Sequence, residues 1–116
     1  SQVYTTSRDL ARFGLLLDND GIWQNERILP EGWVEFIRTP APARPIEPGE
    51  QGYGAQFWLF GTMYGLPDNT FSSAGNKGQF VTVVPDQNLV VVRTGVDPAG
   101  HRWNQPAFTA EILKQL

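Results

Sequence analysis

Ser72-Ser73-Ala74-Gly75-Asn76-Lys77-Gly78-Gln79-Phe80-Val81-Thr82-Val83-Val84-Pro85 is the run on which the fold turns. Its second half, residues 79–84, is β-branched and almost continuously apolar, as in a strand buried on both faces. A similar run at residues 89–94 follows Pro85-Asp86-Gln87-Asn88. Those four residues are turn formers, so the two strands read as a hairpin. Gly75 and Gly78 bracket a short polar tip. Glycine tolerates unusual dihedrals and lets another group approach the main chain closely. A lone Gly-x-x-Gly pair equally suits a plain turn or bulge.

Upstream, residues 53–60 alternate large groups on both faces and predict another strand. Residues 61–69 are a turn-rich return. At the N-terminal end, Thr6 with Asp9 three residues on fits a capped helix start. Leu10, Phe13, Leu16 and Leu17 then form a stripe at helical spacing, closed by Asn19-Asp20-Gly21. Ile22-Trp23 reads as a short extended stretch. Pro30 suits the first position of a second helix, with Trp33, Val34 and Ile37 on its apolar face and Thr39-Pro40 as its stop. Residues 39–52 hold Pro40, Pro42, Pro45 and Pro48, four prolines in nine residues. They predict an extended surface segment, either a plain connection or a loop rimming a cleft. At the other end Asn104 caps a last helix with Pro106 in its first turn, and Phe108, Ile112 and Leu116 make a stripe suited to packing on a sheet. The sum is an α+β chain: an antiparallel sheet of about three strands with flanking helices.

The bulk numbers bound the function. A chain of 116 residues is a single domain at most, and 41% hydrophobic residues suffice for a core. Nine Lys and Arg against twelve Asp and Glu leave a net charge of −3. With no basic run there is no nucleic-acid footprint. No apolar stretch is long enough to cross a membrane. Without cysteine, disulfides and thiolate metal sites are excluded, and no His, Asp or Glu cluster has metal-ligand spacing. No cofactor is expected.

Four segments, taken in order, carry a resemblance. They are Tyr4-Thr5-Thr6-Ser7-Arg8-Asp9-Leu10-Ala11-Arg12-Phe13-Gly14, then Arg27-Ile28-Leu29-Pro30-Glu31-Gly32-Trp33-Val34, then Gly52-Tyr53-Gly54 before a Trp-bearing strand. Last comes Ala74-Gly75-Asn76-Lys77-Gly78-Gln79 with Val83-Val84-Pro85 and Leu89-Val90-Val91-Val92-Arg93. Together they resemble the C-terminal half of the serine β-lactamase and penicillin-binding-protein superfamily. The flavour is that of its class C-like hydrolases and esterases, of the 6-aminohexanoate-dimer hydrolase type. The resemblance covers nearly the whole chain.

What the resemblance implies is specific. Such enzymes cleave amides or esters through an acyl-enzyme built on Ser-x-x-Lys, a proton-relaying Tyr, and a Lys/His-Ser/Thr-Gly strand. The residue after that glycine donates a backbone N–H to the oxyanion. Here Ser73-Ala74-Gly75 falls on the strand motif, with Asn76 as the oxyanion donor; Ser73, Ala74, Gly75, Lys77 and Gly78 are the substrate-binding candidates. Two departures stand out. Ser73 replaces the usual cation, which leans away from β-lactams towards esters or amides. The serines at 1, 7, 72 and 73 have no Lys three residues on, so the nucleophile motif is absent.

Bland readings stand beside these. Lys77 is a solvated loop-tip charge unless it meets a substrate carboxylate. His101, the sole histidine, lies in a surface turn without a nucleophile to serve. Asp9 with Arg8 or Arg12 is helix-surface pairing. The reading is therefore a partial domain spanning 1–116: the oxyanion-side portion of a serine hydrolase, inactive alone. Its small-molecule substrate is an amide or ester, and its exposed sheet edge drives homo-oligomerisation. The alternatives are a non-catalytic binding or assembly module reusing the half-fold, or a chain completed by a separate one that carries Ser-x-x-Lys.

Overall fold

A computed structural model describes residues 3–43 and 51–116. In chain order it contains α1 (Ser7–Asp18), β1 (Ile22–Trp23), β2 (Glu26–Arg27), α2 (Trp33–Arg38), β3 (Gly52–Tyr53), β4 (Trp58–Leu59), β5 (Phe71–Gly75), β6 (Gln79–Val84), β7 (Leu89–Arg93) and α3 (Gln105–Lys114). β1 and β2 form a small hairpin. The other five strands make an antiparallel meander in the order β3-β4-β5-β6-β7. The α+β class holds, with five strands in the main sheet rather than three. Residues 44–50 of the proline-rich segment lie outside the described residues; Ala41 N–H ahead of them bonds the Tyr53 carbonyl at 2.8 Å.

The expected strands at 79–84 and 89–94 stand as β6 and β7, joined by a 3-10 turn at Pro85–Gln87 with Asn88 left-handed at φ 48°. The expected strand at 53–60 is instead folded back on itself. Gly54 N–H bonds the Phe57 carbonyl at 2.8 Å, and Gln56 sits at φ 70°. A Cβ on Gly54 would lie 2.0 Å from the Ile37 carbonyl oxygen, so the end of α2 presses the chain into this reversal. Tyr53 then pairs with Trp58, their ring centroids 4.7 Å apart. β5 has small, weak strand formers. It persists because β4 pairs with it at Phe71 and Ser72, and β6 along its whole length.

Burial on both faces holds for β6, where Phe80 to Val84 are all buried. It fails for β7, where only Val91 is buried, because β7 is the outermost strand. On one face of the sheet lies the core: Leu17, Val34, Ile37, Phe57, Phe71 and Val83, with Leu29, Leu59 and Val90 against them. Burying a side chain of this size contributes about 1.5–3 kcal/mol. α1 is capped as expected, Thr6 Oγ1 accepting from Asp9 N–H at 3.1 Å. Its inward face differs from the predicted stripe. A Cβ on Gly14 would stand 2.4 Å from Val90 Cγ1 and 3.2 Å from Val81 Cγ1, so the helix backbone lies directly on β6 and β7. Gly14 and Leu17 are buried, and Phe13 is turned outward. Likewise α2 buries Val34 and Ile37 while Trp33 stacks outside on Phe36; the helix starts after Gly32, past Pro30.

The last helix carries the largest correction. Asn104 caps it, its side-chain oxygen accepting from Ala107 N–H at 3.0 Å. Yet Phe108 and Leu116 are exposed, and Gln105 and Thr109 are the buried positions. α3 docks through a polar seam against Ser72 and Thr82 on the second face of the sheet, because those hydroxyls need partners there.

Candidate functional site

The β5–β6 register pairs Ser73 with Val81, Ala74 with Phe80 and Gly75 with Gln79. Asn76, Lys77 and Gly78 are left as a three-residue connection. Lys77 (φ 64°) and Gly78 (φ 94°) are both left-handed, and residues of positive φ are what tight hairpin connections use to reverse the chain. A Cβ on Gly78 would fall 2.2 Å from Arg93 Nη1 and 2.5 Å from Asp97 Oδ2, so a side chain there would displace that pair as well as strain the left-handed backbone. Lys77 has a Cβ and holds this conformation at a cost of about 1–2 kcal/mol. Bonds to its carbonyl offset that cost: Asp97 N–H donates at 2.9 Å and Arg93 Nη1 at 3.4 Å.

Arg93, the last residue of β7, organises the rest. Its Nη1 donates to the Gly78 carbonyl at 2.6 Å, and its Nη2 to Asp97 Oδ1 at 2.6 Å. Its guanidinium lies 5.3 Å from the centroid of the Trp103 ring, a cation–π distance. Asp97 Oδ2 accepts from Trp103 N–H at 3.1 Å. The Trp103 amide, and then the Arg93 guanidinium, hold the Asp97 carboxyl below its ordinary range. Gln79 ties the base of the turn to Gly95, its Oε1 accepting from Gly95 N–H at 3.0 Å and its Nε2 donating to the Gly95 carbonyl. None of Arg93, Asp97, Gln79 and Trp103 was singled out by sequence pattern. The one available signal was a charge, Arg93, closing an otherwise apolar strand.

The strand edge follows from alternation. Main-chain groups along a strand face alternate neighbours. The Thr70 carbonyl accepts from Phe60 N–H at 2.9 Å, on the β4 side. Ser72 and Ala74 therefore present theirs to that side too. Pairing with β4 stops at Ser72, opposite Trp58, so Ala74 has no β4 residue across from it. Beside this stretch is a hollow of ≈ 470 Å³, walled by residues 74–78 on one side and by Asp97, His101 and Arg102 on the other. Ala74, Gly75, Asn76 and Lys77 are exposed, and Gly78 is buried beneath them. Five of the six expected residues thus meet at one hollow. Ser73 does not: it pairs with Val81 and shares that residue's face, the α1 side, half-buried. His101 sits in a surface turn, its N–H bonded to the Pro98 carbonyl at 3.0 Å.

No family model matches the chain. It is 26% identical over 125 residues to the 6-aminohexanoate-dimer hydrolase of Paenarthrobacter ureafaciens, across 98% of this chain and 31% of that protein. Its structure matches that of a putative 6-aminohexanoate-dimer hydrolase from Bacillus anthracis with a TM-score of 0.67 and 26% identity, covering 96% of this chain and 27% of that one. The chain therefore spans less than a third of each relative's length. The resemblance carried by the four ordered segments holds: along almost its whole length the chain matches a C-terminal part of the β-lactamase-like hydrolases.

Proposed function

We propose that this chain forms the oxyanion-side wall of a serine hydrolase that cleaves amides or esters through an acyl-enzyme. The observation that carries the reading is the open edge from Ala74 to Asn76, lying beside a hollow at the end of a clamped hairpin. Acyl transfer needs a nucleophile, a base, and preset donors where negative charge develops. In this reading the first two come from residues outside this chain. The chain supplies the third: the Asn76 N–H meets the oxyanion, and the main-chain groups of Ala74 hold the substrate in line with the strand. Lys77 and Gly78 set the turn, and Arg93 keeps it from moving as charge develops. By itself the chain hydrolyses nothing. Its outer strand β7, paired on one side only, associates with the same strand of a second copy.

The test is a fusion in which this chain replaces the matching part of the Paenarthrobacter hydrolase. A folded fusion is expected to turn over p-nitrophenyl esters or linear amides, while the chain alone gives no turnover. Asn76→Pro removes the donor N–H and should lower kcat by about 10²–10³-fold. A fusion that folds, by circular dichroism and thermal melting, but is inert would sink the reading. So would an Asn76→Pro fusion of full activity, which would favour a non-catalytic module.

A further inference from the structure

Asp97 ties together the two walls of the hollow beside the open strand edge. Its N–H bonds the Lys77 carbonyl at 2.9 Å on the turn side, and its Oδ2 accepts from Trp103 N–H at 3.1 Å on the other. The Trp103 ring is packed in turn, its centroid 5.7 Å from that of Phe80 and 4.9 Å from that of Phe108. The main chain that bears Lys77 on one wall and Arg102 on the other is therefore held from both sides. Both side chains are exposed and border the hollow, with His101 beside Arg102. Among the described residues, neither Lys77 Nζ nor the Arg102 guanidinium has a hydrogen-bond or ion-pair partner. Asp97 is the one acid among the described lining residues. Both its oxygens are taken, Oδ1 by Arg93 Nη2 at 2.6 Å and Oδ2 by the Trp103 amide. Arg93 and Asp97 cancel each other's charge, so Lys77 and Arg102 leave the hollow positive. The chain as a whole carries −3, so this is no share of a general excess.

A concave surface concentrates the field of such charges. The planar fork of an arginine accepts a carboxylate through two parallel N–H bonds, and a lysine supplies a point charge from the opposite wall. We infer that Lys77 and Arg102 form a carboxylate-binding subsite, so that the substrate is an amide or ester with a carboxylate a few bonds from the carbonyl that is cleaved. That the bound anion is a substrate rests on the hydrolase reading; that the subsite holds a carboxylate does not.

meta-Acetamidobenzoate and meta-acetamidobenzamide present the same amide and differ by a carboxylate against a carboxamide. Each is titrated into the uniformly ¹⁵N-labelled full chain at low salt. The anion is expected to bind about three- to tenfold more tightly, with saturable shifts at the Arg102 Nε–H and the main-chain amides of residues 76–78. That preference should shrink in about 0.5 M salt, because exposed charges are screened. Arg102→Gln should erase most of it and Arg102→Lys should retain it. Equal affinity for the two compounds would overturn the inference. So would inorganic phosphate that binds as tightly with the same shifts, since that marks a bare patch of positive charge. Turnover by the Paenarthrobacter fusion separates the two readings. meta-Acetoxybenzoate should exceed meta-acetoxybenzamide in kcat/KM by a similar factor, and Arg102→Glu should reverse the order. An active fusion that treats both esters alike keeps the hydrolase and overturns the anionic substrate. An inert, folded fusion beside an intact preference for the benzoate removes the hydrolase and keeps the carboxylate subsite.

Discussion

Gly78 shows how far one residue determines the candidate site. Its left-handed φ and the two side-chain atoms within 2.5 Å of any Cβ act together. Gly78→Ala must strain the backbone and push Arg93 away from Asp97, with an expected loss of about 2–3 kcal/mol in urea unfolding. Two carboxylates predict opposite pH behaviour. Asp97 is held below its ordinary value of 3.8, so its bonds contribute stability above that pH. The contribution is lost as pH falls through the lowered folded value. Asp97→Asn should therefore destabilise the chain at pH 7, and the gap from the parent should close in acid, as followed by thermal melts. Asp18 is pushed up by burial, and its Oδ1 has no partner among the described residues. Asp18→Asn should stabilise at pH 7, and that gain should vanish below the ordinary carboxylate range, where the parent is itself protonated.

Among elements, what was legible in the sequence divides by mechanism. β6, β7 and their turn were readable because β-branched residues and turn formers act locally. The Thr6 and Asn104 caps were readable for the same reason. β5 was not readable from strand propensity, since Ser72, Ser73, Ala74 and Gly75 are extended only because neighbours pair with them; the family resemblance, not periodicity, placed a strand there. The β3–β4 reversal depends on Gly54 meeting Ile37, a contact no local pattern announces. The site divides in the same way. Its turn glycines were visible, whereas the Arg93–Asp97–Trp103 clamp joins residues that only the folded sheet brings to the turn. α3 gives the sharpest case, because apolar spacing pointed to Phe108 while hydrogen bonding buried Thr109. Phe108 is 45% exposed but its ring lies 4.9 Å from that of Trp103, so Phe108→Ser should cost about 0.5–1.5 kcal/mol. Thr109→Val leaves a Gln105 N–H without its acceptor and should cost about 1–3 kcal/mol. Chemical denaturation of the two variants side by side tests which face holds the helix, and a larger loss from Phe108→Ser would reverse the assignment.

At the scale of the whole molecule, the unmatched side of the sheet is the outstanding physical problem. Among the described residues β7 pairs with β6 on one side only, and Leu89, Val90 and Val92 are left half-buried. Trp33 and Phe36 add exposed aromatic surface on α2, and Val96 is 71% exposed just past β7. The relatives are more than three times longer over the same match, so they have chain available to cover such surfaces. For this chain taken alone we propose that β7 pairs antiparallel with its copy in a two-fold dimer, since an unpaired strand edge templates association. Sedimentation velocity at high micromolar concentration should show that dimer. Val92→Lys places a charge at the edge and should shift the population to monomer while leaving the far-ultraviolet circular dichroism unchanged. A parent chain that stays monomeric at that concentration would mean that α1, lying across β6 and β7 with its Gly14 backbone against Val81 and Val90, already shields the edge well enough to keep it single.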